Sequence, residues 1–339
     1  MPDVSAKREL GRGERVLPGV YRLRLPLPWP GVPHCNAWAL SAGEGFVLVD
    51  TGMYQPPDSL ENLERALAMC ELRLSEAQLV VCTHAHSDHC GQAAAVVERA
   101  GCELWMHPSH ELMSRMFEDP EAVFARRLEV ARQSGVPEEP LRRYAAARGA
   151  GAALQPGIAG PIEVDRELLD GVTVATDLGE WVAYETPGHS PSHVCLFQPE
   201  RRLLISGDHL LGRISLYFEY GYSPNPVGEF LTSLDTVERL GARLCLAGHG
   251  RTFADVEAHI RGNRELVHEH LQEVQEALES EPRTAFEVVS AIYGDSLSQQ
   301  NGHWLLSQVL GYLAHLESCG RVQRLPGSPE RWTAARRAA

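Results

Sequence analysis

Lysine is almost missing from this sequence: Lys7 is the only one, and arginine supplies the rest of the 31 basic side chains. Against them stand 45 acidic residues, leaving a formal net charge of −14. A sequence-independent nucleic-acid binder draws most of its affinity from neutralising phosphates, so this balance argues against one without excluding a small local basic groove. Also missing is any run of about 18 apolar residues, which excludes a membrane-spanning helix. Residues 1–15 are polar and charged with no apolar stretch, so they do not read as a secretory signal. A cytoplasmic protein with no membrane partner is the expectation. The eight cysteines form no C-x-x-C pair, and several lie in apolar runs, as Cys82 does after Val80-Val81. They read as small buried hydrophobes in a reducing compartment, not as disulfides or a zinc knuckle.

What is present is ordinary globular material. Hydrophobic residues make up 44% of 339 positions and charged residues 22%, enough for a large core and a smaller second domain. Val20 to Leu25 alternates with period two, Pro26 to Pro33 reads as a proline-rich loop, and Cys35–Leu40 and Phe46–Val49 read as short strands. Asp58 or Ser59 can cap a helix whose apolar face is Leu60, Leu63, Leu67 and Cys70. A buried strand, Leu79–Cys82, precedes a helix near Gln92–Ala100 and a strand at Glu103–Met106. Strands are expected again at 180–186, 194–197, 203–206 and 243–247, with a helix at Phe230–Leu240. Residues from about 110 to 160 break the alternation. Glu111–Gln133 and Glu139–Arg148 look helical and Gly149–Gly160 reads as a flexible loop, so this stretch is expected to be a helical insertion. Beyond Phe253 come three helical patterns, Val256–Leu278, Ala285–Tyr293 and Trp304–Cys319. Arg321–Leu325 and Arg331–Thr333 could then pair across Pro326-Gly327-Ser328. The last residues are expected to fray.

The stretch that carries chemistry is Thr83-His84-Ala85-His86-Ser87-Asp88-His89, directly after a buried strand. Side chains alternate along extended backbone, so His84 and His86 point the same way and can bind one ion together. Asp88 and His89 lie where the next helix begins and face a second. Imidazoles with a carboxylate suit zinc, manganese or iron. Three later fragments offer further ligands: His189 in Thr186-Pro187-Gly188-His189-Ser190, Asp208 in Ser206-Gly207-Asp208-His209, and His249 in Ala247-Gly248-His249-Gly250. Each follows an expected strand in a glycine-containing loop, and all are expected to converge on one sheet edge.

The order H-x-H-x-D-H, then His, Asp and His, resembles the metallo-β-lactamase superfamily, of the glyoxalase II type. The resemblance covers roughly residues 17–255 and implies an α/β fold, the αββα sandwich. It further implies two divalent metal ions, zinc first with manganese or iron as alternatives. His84, His86 and His189 would hold one, Asp88, His89 and His249 the other, and Asp208 would bridge. Val49-Asp50-Thr51-Gly52 resembles the family's early motif, whose aspartate supports the metal loops without binding metal. The tail resembles the winged-helix extension of one subfamily, which includes the LACTB2-like proteins. The expected organisation is therefore a catalytic domain over 1–254, with its insertion at about 110–160, and a small winged-helix-like domain over 255–339.

Other polar residues get plainer readings. His34, His107 and His110 are expected to stay off the metal, and His193 and His209 to make supporting or backbone hydrogen bonds. Cys90 is expected to be packing. The aromatic segment Leu216–Tyr222 either lines a substrate pocket, with Tyr220 or Tyr222 donating to an oxyanion, or packs under the inserted helices. Metal-bound water is acidified from a pKa near 16 to about 7, which gives a nucleophile at neutral pH. Such a hydroxide, bridging the two ions, is expected to attack a carboxylic ester, thioester or lactone, with Asp88 and Asp208 as the catalytic carboxylates. A phosphodiesterase or ribonuclease of the same fold is the alternative, as is a mononuclear iron persulfide dioxygenase. A metal-free binding module fits poorly, because no expected ligand position is substituted. The expected partner is a small-molecule substrate rather than nucleic acid, and the apolar faces of the C-terminal helices could also serve a homodimer.

Overall fold

Alternating apolar residues set up the first third of the chain. Arg12–Leu17 (β1), Val20–Trp29 (β2), Val32–Ala42 (β3) and Gly45–Val49 (β4) form an antiparallel meander. Structure is described for residues 10–29, 31–111, 119–149, 157–298 and 301–335 of a computed structural model. In β3 the run from Cys35 to Leu40 is buried without a break, as in a strand covered on both faces. The helix Ser59–Ala68 (α1) then leads into Ala77–Val81 (β5), which joins β4 in parallel. A single turn, Ser87–Cys90 (α2), and the helix Ala93–Ala100 (α3) lead to Glu103–Met106 (β6). Two helices, Pro120–Gln133 (α4) and Glu138–Gly149 (α5), follow before Arg166–Glu167 (β7) closes the seven-stranded sheet in sequential order.

The second sheet has five strands in the order β12-β11-β10-β9-β8. They are Thr173–Thr176 (β8), Gly179–Glu185 (β9), Val194–Gln198 (β10), Leu203–Gly207 (β11) and, after the helix Pro226–Leu240 (α6), Leu244–Ala247 (β12). The chain ends in the helices Val256–Glu276 (α7), Ala285–Tyr293 (α8) and Gly302–Ser318 (α9). An antiparallel pair, Val322–Leu325 (β13) and Arg331–Ala334 (β14), follows.

Three apolar layers hold these parts together. Trp38, Leu40, Val47 and Val49 of the first sheet meet Trp181, Val194, Leu196 and Ile205 of the second. Leu63 and Leu67 of α1 and Val96 of α3 cover the outer face of the first sheet. The outer face of the second sheet packs on Leu234 of α6, Val267 of α7, Val288 of α8 and Leu313 of α9. The result is helices, sheet, sheet, helices, with the C-terminal elements in the same apolar cluster as α6. Each such buried aliphatic or aromatic side chain stabilises by about 1.5–3 kcal/mol relative to exposure. The middle layer carries two fully buried tryptophans, Trp38 and Trp181, whose truncation is expected to be strongly destabilising.

Some expectations need correction. Pro26 to Pro33 is not a loop: β2 runs on to Trp29, and Pro26 pairs with His34. Proline is tolerated there because β1 starts at Arg12, opposite Arg24, so beyond Leu25 one side of β2 has no strand partner among the described residues awaiting an N–H donor. β1, β7 and β8 were not anticipated. The helix expected over Glu111–Gln133 is described from Pro120 onward, and residues 112–118 lie outside the described set, as do residues 150–156 of the expected Gly149–Gly160 loop and the last four residues. The insertion is tied to the C-terminal elements: Phe286 N–H donates to Ser134 O at 2.9 Å and Glu330 N–H to Gln133 O at 2.9 Å.

Candidate metal centre

All the residues expected to carry chemistry lie just beyond strand C-termini at one end of the two sheets. Asp50 follows β4, the stretch from Thr83 to His89 follows β5, His189 follows β9, Asp208 follows β11 and His249 follows β12. Asp50 adopts a positive φ of 63°, a conformation aspartate tolerates better than most residues. Its carboxylate organises the loop after β5, with Oδ1 accepting from Thr83 N–H at 2.8 Å and Oδ2 from His89 Nδ1 at 2.8 Å. The loop after β12 is tied down by Asn36, whose backbone N–H donates to Gly248 O at 2.7 Å and whose Nδ2 donates to Ala247 O at 2.9 Å. Gly248 has to be glycine, because a Cβ there would overlap Asp208 Oδ1 and His89 Cε1.

The structure brings His84, His86, Asp88, His89, His189, Asp208 and His249 into one cluster, each of them mostly or wholly buried. His86 Nδ1 lies 3.0 Å from His84 Nε2 and 2.9 Å from His189 Nε2. On the other side, His249 Nε2 is 3.1 Å from Asp88 Oδ2 and 3.3 Å from Asp208 Oδ2, and His89 Nε2 is 3.3 Å from Asp208 Oδ1. Three groups of potential ligand atoms therefore lie within 4.8 Å of one another: His84, His86 and His189; Asp88, His89 and His249; and His84, His89 and Asp208.

The outer nitrogens decide what the inner ones can do. His189 Nδ1 donates to Tyr217 O at 3.1 Å, and His249 Nδ1 to His34 O at 3.0 Å. His89 Nδ1 donates to Asp50, and His86 Nε2 to Glu219 Oε2 at 3.0 Å. Thr83 Oγ1 gives its proton to Asp50 at 2.9 Å and so accepts from His84 Nδ1 at 3.0 Å. Five imidazoles thus have their outer nitrogens engaged as donors, so that each, once its inner nitrogen is deprotonated, turns a lone pair inward, the pattern by which outer partners orient metal ligands.

Charge tells the same story. Burial opposes ionisation of the two carboxylates, yet His249 and His89 keep Asp208 well below, and Asp88 below, the usual carboxylate range. Burial likewise disfavours a proton on His249, but Asp208 and Asp88 hold one there and lift its pKa to about 10; His89 is raised by the same acids and Asp50. Burial and neighbouring imidazoles push His84 well down and His189 to about 4. The acids demand positive charge that the histidines supply only by retaining protons. Divalent cations binding here would displace those protons, so this donor set of neutral imidazoles and two carboxylates fits zinc, manganese or iron.

The remaining residues divide. His193 does make a supporting hydrogen bond: its Nε2 accepts from Asp208 N–H at 3.0 Å while Nδ1 meets Thr186 Oγ1 at 2.8 Å. His209 is buried under α6 with its ring 4.9 Å from that of Phe230, and the backbone of Ser233 in α6 partly offsets the burial that depresses its pKa. His107 pairs with Glu185 at 2.8 Å. Cys90 is wholly buried, and burial raises its thiol pKa. Of the aromatic segment, the ring nearest the ligand histidines is that of Tyr217, 5.7 Å from His189 and 6.1 Å from His86. Tyr220 and Tyr222 pack against the outer apolar layers. Sequence reasoning missed Glu219 entirely, although a lone acid inside Leu216–Tyr222 was the available signal.

The family model for the metallo-beta-lactamase superfamily matches residues 30–249. The "Probable metallo-hydrolase YqjP" of Bacillus subtilis is 26% identical over 88% of this chain and 92% of its own length. An "Atrochrysone carboxyl ACP thioesterase" of Aspergillus terreus is 26% identical over 43% of this chain and 49% of its own. Among solved structures, a beta-lactamase domain protein from Burkholderia ambifaria superposes with a TM-score of 0.81 at 26% identity, covering 98% of this chain and 97% of that one.

Proposed function

The chain belongs to the metallo-beta-lactamase superfamily as a metallo-hydrolase, and from that premise we propose that it uses two divalent ions, zinc first, to hydrolyse a carboxylic ester, thioester or lactone. The observation that carries the reading is the convergence of five inward imidazole nitrogens with the carboxylates of Asp88 and Asp208. His84, His86 and His189 would hold one ion, Asp88, His89 and His249 the other, and Asp208 would be shared.

When bound, the ions supply Lewis acidity and an acidified water. The protein's own residues do the rest. Asp88, with Oδ2 turned to His249, orients the attacking water and accepts its proton at a carboxylate oxygen. Asp208 is fixed from behind by His193 at its backbone N–H, which keeps its carboxylate between the two histidine groups. Asp50 and Thr83 keep His84 and His89 aimed and in the right tautomer. Tyr217 presents an aromatic ring beside His86 and His189, a surface suited to an acyl chain. The thioesterase relative favours an acyl substrate over a phosphodiester, and the acidic net charge weighs the same way. We read residues 255–339 as a winged-helix-like unit whose role here is structural support.

The test is a panel of generic ester, thioester, lactone and bis-phosphodiester substrates, run on protein as purified, after chelation and after reloading with zinc, manganese or iron. Chelator-sensitive, metal-restored cleavage of an acyl substrate is the expected result. Cleavage of the phosphodiester alone would replace the substrate class. Oxygen consumption on persulfides with one iron would replace the reaction.

A further inference from the structure

Three of the five inward-facing histidines are anchored by groups that the sheets and their strand ends provide, and a fourth by a backbone carbonyl of the loop after β11. His89 and His84 lean on Asp50 and Thr83, and His249 donates to a carbonyl of β3. His189 uses a backbone carbonyl, Tyr217 O. His86 differs. It sits at the start of α2 with its side chain 14% exposed, and its outer nitrogen meets a side chain from outside both sheets, the carboxylate of Glu219. That carboxylate is buried at 8% exposure, where a charge is costly unless it is paired and hydrogen-bonded.

Glu219 is in turn bracketed by the C-terminal helix. Ser307 Oγ of α9 donates to Phe218 O at 2.9 Å and accepts from Tyr220 N–H at 2.9 Å, gripping the backbone on either side of Glu219. Gly311, one turn further on, packs α9 against the same segment, the position of a Cβ there lying in van der Waals contact with Phe218 Cβ at 3.4 Å. Phe218 is fully buried, edge-on to Phe230 at 5.4 Å and to Tyr312 of α9 at 5.7 Å. The segment is therefore clamped by hydrogen bonds and by packing.

We propose that Glu219 is the positioning residue for His86, and that α9, through Ser307, holds Glu219 in place, so that the C-terminal helix sets the geometry of the three-histidine metal position. This rests on the two-ion reading above. Glu219 touches neither substrate nor ion in this scheme. It fixes the His86 tautomer and ring angle, as outer partners of metal-binding histidines do, and their loss weakens metal binding by roughly 10–100-fold.

The experiment is zinc competition against a chromophoric chelator on the stripped full-length protein, with the cobalt(II) spectrum of the same variants. In wild type, two zinc-binding steps are expected. Glu219→Ala should weaken one step by about 10–100-fold, leave the other within about threefold, and alter the cobalt bands of the three-histidine position. Glu219→Gln keeps an oxygen able to accept from His86 Nε2 and should recover most of the loss. Ser307→Ala should weaken the same step by less than Glu219→Ala. Wild-type affinity at both steps in Glu219→Ala, equal weakening of both steps, or a Gln variant as damaged as the Ala variant would each overturn the proposal. If Glu219→Ala does not fold, the Gln and Ser307→Ala variants decide alone. A wild-type protein that binds no zinc would instead sink the underlying two-ion reading.

Discussion

The floor of the metal site grows from five strand ends, whereas its outer wall is the loop after β11, gripped by a helix from near the end of the chain. Floor residues are fixed mainly by neighbours in the sheets: Asp50 on Thr83 and His89, Asn36 on the loop after β12, His193 on Asp208. Wall residues are fixed from a distance, with Glu219 and Tyr217 in a segment that Ser307 of α9 grips some ninety positions away. The difference teaches where tolerance to change should lie. A floor held by many hydrogen bonds between adjacent strand ends keeps its geometry until a ligand is removed or displaced, while a wall held by a few contacts to one helix sets finer properties such as affinity and substrate fit.

That contrast is breakable. The largest effect is expected for Asp208→Asn, which removes a shared carboxylate. Metal content and turnover measured together should fall beyond the roughly 100-fold that losing an outer partner costs, and full activity would remove Asp208 from the site. Gly248→Ala follows. Its Cβ overlaps Asp208 Oδ1, so the carboxylate must shift, and a misplacement of about 1 Å costs on the order of 100-fold in kcat/KM. Unchanged kinetics would show that the floor has slack. On the wall, Tyr217→Ala should raise KM for acyl substrates about 2–10-fold with kcat nearly constant, in line with aromatic contacts worth roughly 0.5–1.5 kcal/mol; a change in kcat alone would place Tyr217 in the chemistry.

The smallest effect concerns pH. In protein stripped of metal, the His249 pKa lies at about 10, held up by Asp208 and Asp88 against burial. Its contribution to stability is complete below the unfolded value of about 6.5 and is lost as pH rises towards 10. Burial depresses His189 to about 4 and His209 to about 3, so their contributions are complete above about 6.5 and are lost as pH falls through those values. Thermal melts of the stripped protein should therefore peak near neutrality and decline on both sides, and reloading with zinc should flatten the alkaline limb. A monotonic profile would contradict these assignments.

The floor was legible in the sequence because its grammar is local. A buried strand followed by Thr83-His84-Ala85-His86-Ser87-Asp88-His89 can be read without knowing the rest of the fold, and each later ligand repeats the pattern of strand, glycine and polar side chain. Asp50 was legible for the same reason. The wall was not. Nothing near Glu219 announces His86, because the two are 133 positions apart and meet only in the folded chain. Likewise the extension of β2 through Pro26 depended on β1 being short, a fact of pairing rather than of residue preference. His209, next to Asp208 in sequence, faces away into the cover of α6, because adjacency in sequence does not fix which way a side chain points.

The most direct test of the central claim is metal stoichiometry by native mass spectrometry on reloaded wild-type protein beside His86→Ala. The account predicts two zinc ions per chain in the wild type, no more than one in the variant, and loss of metal-dependent turnover with it. A variant that still carries two ions and full activity would contradict the floor described here.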